Sequence, residues 1–208
     1  MKLPRVAMVL AFTLLTVLGG AAHARKSILA QLEEAAASAA EATDSSTVAL
    51  AGQAEYAFSP RGGCEALVIK TIRAARKDVH MLAYALTSPA IVQALIDAHK
   101  RGVQVFVLAD HRQNVSDDRS GKGKAALNAL ATAGVATRTI SVYAIHHDKV
   151  VVVDGQTTQT GSFNYTQAAQ RSNSENVLVL WNNPKLAQGY LKHWERNWQQ
   201  GNDWRPTF

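Results

Sequence analysis

The chain has 208 residues, which fits one domain of ordinary size. A domain of this size can bury a hydrophobic core that is stable without disulfide bonds or structural metal ions. Its single cysteine excludes an internal disulfide, and it contains no Cys/His cluster with zinc spacing, no EF-hand loop and no Walker loop. The formal net charge of +6 permits a polyanionic partner but does not require one.

The first 24 residues have the pattern of a secretory signal peptide. A short basic start precedes an apolar run over 6–20, and residues 22–24 form an A-x-A cleavage site. Because the run is too short to span a membrane, an uncleaved anchor is only the alternative. We therefore predict cleavage after Ala24, a periplasmic or secreted location, and no stable membrane span after cleavage. Two bases and no acid would be lost, leaving 20 bases against 16 acids, or +4.

Residues 25–54 are rich in Ala and Ser, and we interpret them as a leader or linker outside the compact fold. Residues 55–208 form the predicted domain, in which strand and helix patterns alternate. The predicted strands are 55–58, 78–86, 103–109, 135–140, 149–153, 157–162 and 175–181. The predicted helices are 62–76, 89–101, 124–133 and 184–199, with a long polar loop over 110–123 that holds His111, Arg112, Arg119 and Lys122.

Local signals support this order of elements. The second helix has Ser88 as its N-cap, Pro89 in its first turn and Gly102 as its stop. The run 103–109 is almost wholly apolar, as expected of a strand covered on both faces. Asp154-Gly155 indicates a hairpin between two strands. The pattern predicts an α/β fold of one domain, with a mixed β-sheet flanked by helices on both faces.

The lone cysteine, Cys64, falls on the apolar side of the first predicted helix. This position favours a buried structural thiol. A disulfide to another molecule is the alternative.

Polar side chains stand at the ends of two predicted strands, 149–153 and 157–162. His147 and Lys149 are two residues apart, so they project from the same face at the start of the first strand. Ser162 and Asn164 have the same spacing at the end of the second strand. The four side chains are therefore predicted to converge on one site. By the same alternation, Asp148 and His146 point away from it, and we interpret His146 as structural.

These residue types suit chemistry on a phosphodiester. An ammonium such as Lys149 neutralises the charge that repels nucleophiles, and Ser162 and Asn164 can donate hydrogen bonds to the nonbridging oxygens. A neutral imidazole, that of His147, can then attack phosphorus and form a covalent phosphohistidine. A second acid must protonate the leaving oxygen, and another histidine suits that task. Glu175 is the candidate carboxylate that orients the attacking ring.

Three candidate residues can also be interpreted without a role in catalysis. Asp154 could serve only as the turn residue of the Asp-Gly hairpin. Glu175 could be a solvated strand end. His111 could contact substrate or belong to a solvated loop.

His147-x-Lys149-x4-Asp154, followed by Gly161-Ser162-x-Asn164, resembles the signature of the phospholipase D superfamily. The flanks 161–169 and 174–178, together with the single copy of the motif, resemble the bacterial Nuc-type endonuclease branch. The resemblance covers about residues 55–200.

The resemblance implies a phospholipase D-like fold and a metal-independent site that needs no cofactor. Single-motif members form homodimers, so His147 of one chain would be the nucleophile and His147 of the other the acid. It further implies that Lys149, Ser162 and Asn164 line the phosphate site and that Glu175 orients the histidine. Asp154 belongs to the signature and is counted with the catalytic residues.

The sequence thus predicts an exported, metal-independent phosphodiesterase that cleaves DNA, RNA or both without base specificity, because phosphate contacts carry no sequence information. A phospholipase D, cardiolipin hydrolase or phosphatidyltransferase acting on phospholipids is the second hypothesis. A catalytically silent nucleic-acid-binding module is the third.

Overall fold

The computed structural model describes residues 45–206, so the signal peptide and most of the predicted linker lie outside the described residues. Of the described residues, those from Val48 onward form one compact unit. Its strands are β1 (Gln53–Ser59), β2 (Asp78–Ala83), β3 (Gln104–Asp110), β4 (Ala136–Ile140), β5 (Lys149–Val153), β6 (Thr157–Gly161), β7 (Glu175–Trp181) and β8 (Asn202–Asp203). Its helices are α1 (Cys64–Ala74), α2 (Pro89–Lys100), α3 (Lys122–Thr132), α4 (Gln167–Arg171) and α5 (Pro184–Gln199).

The strands form one mixed sheet in the order β1-β7-β6-β5-β2-β3-β4-β8. Strands β2, β3 and β4 run parallel to one another, and the other neighbouring pairs are antiparallel. The predicted hairpin is confirmed, since β5 and β6 are antiparallel neighbours joined at Asp154-Gly155. Both turn residues have positive φ, 53° and 62°, as that type of hairpin turn requires.

Helices cover both faces of the sheet, as predicted. On one face α1, α2 and α3 pack over alternate strand residues such as Val79, Val107 and Val151. On the other face α5 packs over the intervening residues, including Leu82 and Val152. Side chains of one strand therefore reach two separate cores, because neighbouring residues of a strand point to opposite faces.

The helix ends follow the predicted capping signals. The Ser88 hydroxyl accepts a hydrogen bond from the Ile91 amide, and Pro89 occupies the first turn of α2. Gly102, which follows α2, has a φ of +90°.

Cys64 is fully buried at the start of α1, and burial raises the pKa of its thiol. The predicted buried thiol is therefore confirmed within the single chain.

The prediction of a long polar loop over 110–123 was wrong in its first half. Asp110 still belongs to β3, and Arg112–Ser116 form a π-helical turn. The reason is Asn114, whose buried amide hydrogen-bonds to Leu86 N (2.9 Å) and to the carbonyls of Tyr84 (2.6 Å) and Asp110 (2.8 Å). A polar side chain can be buried when hydrogen bonds satisfy it, and composition alone does not reveal such bonds.

One edge of the sheet gathers the polar residues singled out above. Ala83 at the end of β2 pairs with Lys149 at the start of β5, and Ser59 at the end of β1 pairs with Glu175 at the start of β7. Open α/β sheets bind ligands in this position, beyond the carboxyl ends of their parallel strands. Within residues 45–206 no helix is long and apolar enough to cross a membrane.

Candidate active site

His147 and Lys149 meet at the aromatic ring of Tyr84, just beyond the end of β2. The His147 and Tyr84 ring centroids are 4.5 Å apart, and the Lys149 ammonium lies 4.9 Å from the Tyr84 centroid. Lys149 Nζ also donates a hydrogen bond of 2.9 Å to the His147 carbonyl. His147 is exposed, whereas Lys149 is only 6 % exposed. The imidazole is thus open to a substrate, and the cation is fixed behind it.

The charge of Lys149 is held in partly dry surroundings. Burial lowers the pKa of Lys149, and the carboxylates of Asp148 and Glu175 act in the opposite direction. A cation shielded from water acts more strongly on a nearby phosphate than an exposed one. The carboxylates of Asp148 and Glu175 favour the protonated Lys149 ammonium, which is the form that can neutralise a phosphate.

Ser162 and Glu175 form a hydrogen-bonded rim on the neighbouring strands. The Ser162 hydroxyl donates to Glu175 Oε2 at 2.6 Å and accepts from the backbone and side-chain N–H groups of Asn176. Asn173 donates to the other Glu175 oxygen at 3.0 Å. Within the part of the chain described, no hydrogen bond joins Glu175 to His147, so an orienting role for Glu175 stays a prediction.

The Gly161-Ser162-x-Asn164 segment is fixed by its neighbours in the core. Gly161 has a φ of +146°, and a Cβ there would lie 2.3 Å from the Asn176 carbonyl, so only glycine fits. Phe163 and Tyr165 are fully buried on either side of Asn164. Asn164 itself is half-buried, and its Oδ1 is buried without a partner among the residues described.

Asp154, predicted among the catalytic residues, lies at the opposite end of β5 from Lys149. Its carboxylate accepts hydrogen bonds from the backbone amides of Arg76, Lys77 and Asp78, at 2.8 to 3.2 Å. These bonds close the connection between α1 and β2. The catalytic assignment of Asp154 is therefore corrected to a structural one, close to the alternative in which Asp154 is a turn residue.

Replacing Asp154 with alanine is expected to cost stability and to leave the chemistry intact. We expect about 2–3 kcal/mol of unfolding free energy to be lost, because a charged acceptor for three amides disappears. The kcat of the folded variant should stay within about threefold of the wild type. Urea titrations and initial rates measure the two quantities. Loss of activity at unchanged stability would return Asp154 to the catalytic set.

Two residues near the site, Tyr84 and Asn176, were not predicted from the sequence. A third, His111, had been left with two interpretations. Tyr84 contacts both His147 and Lys149, and Asn176 holds Ser162, yet neither belongs to the motif. His111 Nδ1 lies 3.2 Å from Thr139 Oγ1, so the structure gives it a partner within the fold. Tyr84 fell within the predicted strand 78–86, and the sequence did not show that this strand lies beside β5. Among residues 45–206 no group of three or more His, Cys, Asp or Glu side chains could hold a metal ion.

Comparison with known proteins matches this geometry to a family. The family described as "Cardiolipin synthase, PLD-like domain" matches residues 68–198. A phospholipase D from Rickettsia bellii is 39 % identical over 137 residues, which are 66 % of this chain and 65 % of that protein. A mitochondrial cardiolipin hydrolase from Xenopus laevis is 32 % identical over 126 residues, 61 % of this chain and 57 % of that protein. The chain thus matches somewhat less than two thirds of the length of these relatives.

Solved structures of other proteins share the fold of this chain. Nuc from Salmonella typhimurium, described as a phospholipase D family member, superposes with a TM-score of 0.71 at 44 % identity, covering 74 % of this chain and 98 % of that one. NucT from Helicobacter pylori shares the fold, with a TM-score of 0.62 at 17 % identity over 73 % of this chain and 100 % of that one.

The chain therefore belongs to the phospholipase D superfamily of phosphodiester-cleaving hydrolases. Within it, the chain falls in the Nuc-type branch.

Proposed function

We propose that this protein is an exported, metal-independent phosphodiesterase that cleaves DNA, RNA or both through a covalent phosphohistidine. The observation that carries the proposal is the pairing of an exposed His147 with a buried Lys149 at the ligand-binding edge of the sheet. The export component rests on the signal-peptide pattern of the sequence.

In the first step a phosphodiester binds with a nonbridging oxygen beside the Lys149 ammonium. A neutral nitrogen of His147 attacks phosphorus, so that a P–N bond forms and the P–O bond to the leaving group breaks. The leaving oxygen takes a proton from a second acid. Lys149 stabilises the negative charge on the nonbridging oxygens throughout.

In the second step water attacks the phosphohistidine. The group that gave its proton to the leaving oxygen now accepts one from the water, and the P–N bond breaks. His147 is regenerated with the nitrogen lone pair that it used in the first step. The cycle consumes one water and needs no oxidant or reductant.

A second copy of the chain is the proposed source of the acid, because the motif has a single His147. Two exposed apolar surfaces support this proposal. Val142, Tyr143 and Ile145, which are 43–57 % exposed, immediately precede the histidines. Tyr56 and Phe58 on β1 are 70 % and 59 % exposed. Exposed apolar clusters of this kind mark interaction sites.

A shared site makes a quantitative prediction for mixed dimers. Equal amounts of wild-type and His147→Ala chains are allowed to pair at random. The mixture should then have about a quarter of the activity of the same total amount of wild-type protein, because only wild-type homodimers hold two His147 imidazoles. Subunit exchange followed by initial-rate measurement tests this. About half of the activity would remain if each chain worked alone, and that outcome would contradict the shared site.

Nucleic acid is the favoured substrate because of the basic segment that follows the π-helical turn. Arg119, Lys122 and Lys124 are exposed in this segment, and Asp118 holds its backbone through Ser120 and Gly123. Asn114 anchors the turn that precedes this segment to the backbone of Tyr84, whose ring contacts His147 and Lys149. A row of cations suits a polyanionic backbone.

A phospholipid substrate is the second candidate, and specific observations favour it. The relatives from Rickettsia and Xenopus are named as a phospholipase D and a cardiolipin hydrolase. The apolar residues Val142, Tyr143 and Ile145 stand next to the histidine pair, where they could meet acyl chains.

A substrate panel separates the two candidates. Protein starting at Arg25 is incubated in EDTA with plasmid, single-stranded DNA, RNA, and vesicles of cardiolipin or phosphatidylcholine. Cleavage of nucleic acid with intact lipid is the expected result. Cleavage of lipid alone would replace the nuclease with the phospholipase, and inertness towards every substrate would refute both.

A further inference from the structure

His147 lies on a segment outside the sheet, directly before β5. Residues 141–148 belong to no strand, and β5 begins only at Lys149. The position of His147 therefore depends on individual contacts rather than on a strand ladder. Two of them hold the backbone of the segment: the His146 amide donates to the Asp110 side chain at Oδ2 (2.7 Å), and the Tyr84 amide donates to the Asp148 carbonyl (2.8 Å).

A third contact reaches the segment from α5. Asp148, between His147 and Lys149, points towards α5, where its Oδ2 lies 3.0 Å from His193 Nε2. The same oxygen lies 3.3 Å from Nε2 of the buried His146. Asp148 thus ties the short stretch that bears both site residues to a helix 45 residues further along the chain.

The surroundings of His193 fix its tautomer. Arg196 Nη2 lies 3.0 Å from His193 Nδ1, and a guanidinium can only donate, so Nδ1 must accept. The ring proton is then on Nε2, where it is donated to Asp148. Asn197 Nδ2 donates to the His193 carbonyl at 2.8 Å and holds the same turn of α5.

The charges around Asp148 are consistent with a permanent carboxylate. Burial acts to raise the pKa of Asp148, but the hydrogen bond from His193 and the nearby Lys149 ammonium help to outweigh it and lower the pKa. Asp148 in turn favours the protonated form of Lys149. Burial lowers the pKa of His146, against the charges of Asp148 and Asp110.

We propose that Asp148 and His193 form a positioning pair that clamps the segment bearing His147 and Lys149 to α5. Neither residue is expected to touch substrate. The proposal rests on the proposed function, because it names a further requirement of the same site. It assigns to α5 a role in the chemistry in addition to its packing.

His193→Ala is the first test, with His193→Gln as the rescue variant, since the glutamine amide can replace the Nε2–H donor. Loss of the clamp should lower kcat about tenfold and change KM less than about twofold, because misplacement affects the reacting geometry more than binding. The glutamine variant should recover most of the lost rate. Lys185→Ala, an exposed change on the same helix, is the matched control.

Asp148→Asn separates position from charge. The asparagine still accepts a hydrogen bond from His193, but the negative charge beside Lys149 is gone. Without that charge the pKa of Lys149 should fall, because Asp148 favours the protonated ammonium. The alkaline limb of the pH–rate profile that reports deprotonation of Lys149 should therefore move to lower pH, whereas His193→Ala should leave it in place. A purely structural role would move neither limb.

Hydrogen exchange provides a readout that does not depend on activity. His193→Ala should speed amide exchange in the peptide that contains residues 146–149, and Lys185→Ala should not. Unchanged exchange and unchanged kcat in a folded His193→Ala variant would overturn the proposal. If the wild type cleaves no substrate, the proposed function fails, while the exchange experiment still decides whether the clamp exists.

Discussion

Replacing His147 with alanine is expected to lower kcat for phosphodiester cleavage by at least about 10⁴-fold, because no other group can form the covalent intermediate. The loss should fall on kcat, since Lys149 still neutralises the charge of the bound phosphate. His147 is exposed, and its ring contact among the described residues is with Tyr84, so stability should change little.

His111→Ala is the matched control. His111 is also near this edge of the sheet, and its ring lies against Thr139 rather than beside Lys149. Its activity should stay within about threefold of the wild type. A His147→Ala enzyme that retains a tenth of the activity would remove His147 from the mechanism. An active wild type with an inactive His147→Ala variant would exclude the catalytically silent binding module.

Lys149→Met is expected to lower kcat about 10³-fold, because the fixed charge that stabilises the transition state is removed. Lys149→Arg should recover only part of the rate, since a planar guanidinium cannot occupy the place of an ammonium above the Tyr84 ring without displacement.

The same residue should affect stability in the opposite direction. Because burial lowers the pKa of Lys149 in the folded protein, its charge opposes folding below the folded-state pKa, and this cost is relieved as the pH rises towards the ordinary lysine pKa. Methionine removes the charge and keeps the apolar stem. Urea titration should therefore show an unfolding free energy that is unchanged or increased. A marked loss of stability would mean that the fall in activity reflects unfolding.

Local signals in the sequence predicted several elements to the residue. The bounds of β5, β7 and α5 match because each has a self-contained pattern, such as the apolar run of β5 or the Asn183-Pro184 start of α5. The shared side of His147 and Lys149 was predictable too, since alternation along an extended chain depends on neighbours alone.

Long-range contacts were not predictable in this way. The three amides that bind Asp154 come from a connection more than 70 residues earlier in the chain, and a carboxylate in a turn gives no sign of them. Tyr84 reaches Lys149 only because β2 pairs with β5. His193 meets Asp148 only because α5 returns across that face of the sheet. Each of these contacts depends on strand order, which periodicity does not encode.

The stereochemical course at phosphorus tests the central claim most directly. Attack by His147 followed by attack by water inverts phosphorus twice, so a chiral phosphorothioate diester cleaved in isotopically labelled water should give retention of configuration. Net inversion would mean that water attacks phosphorus in a single step. That result would contradict a covalent phosphohistidine, whichever substrate the protein prefers.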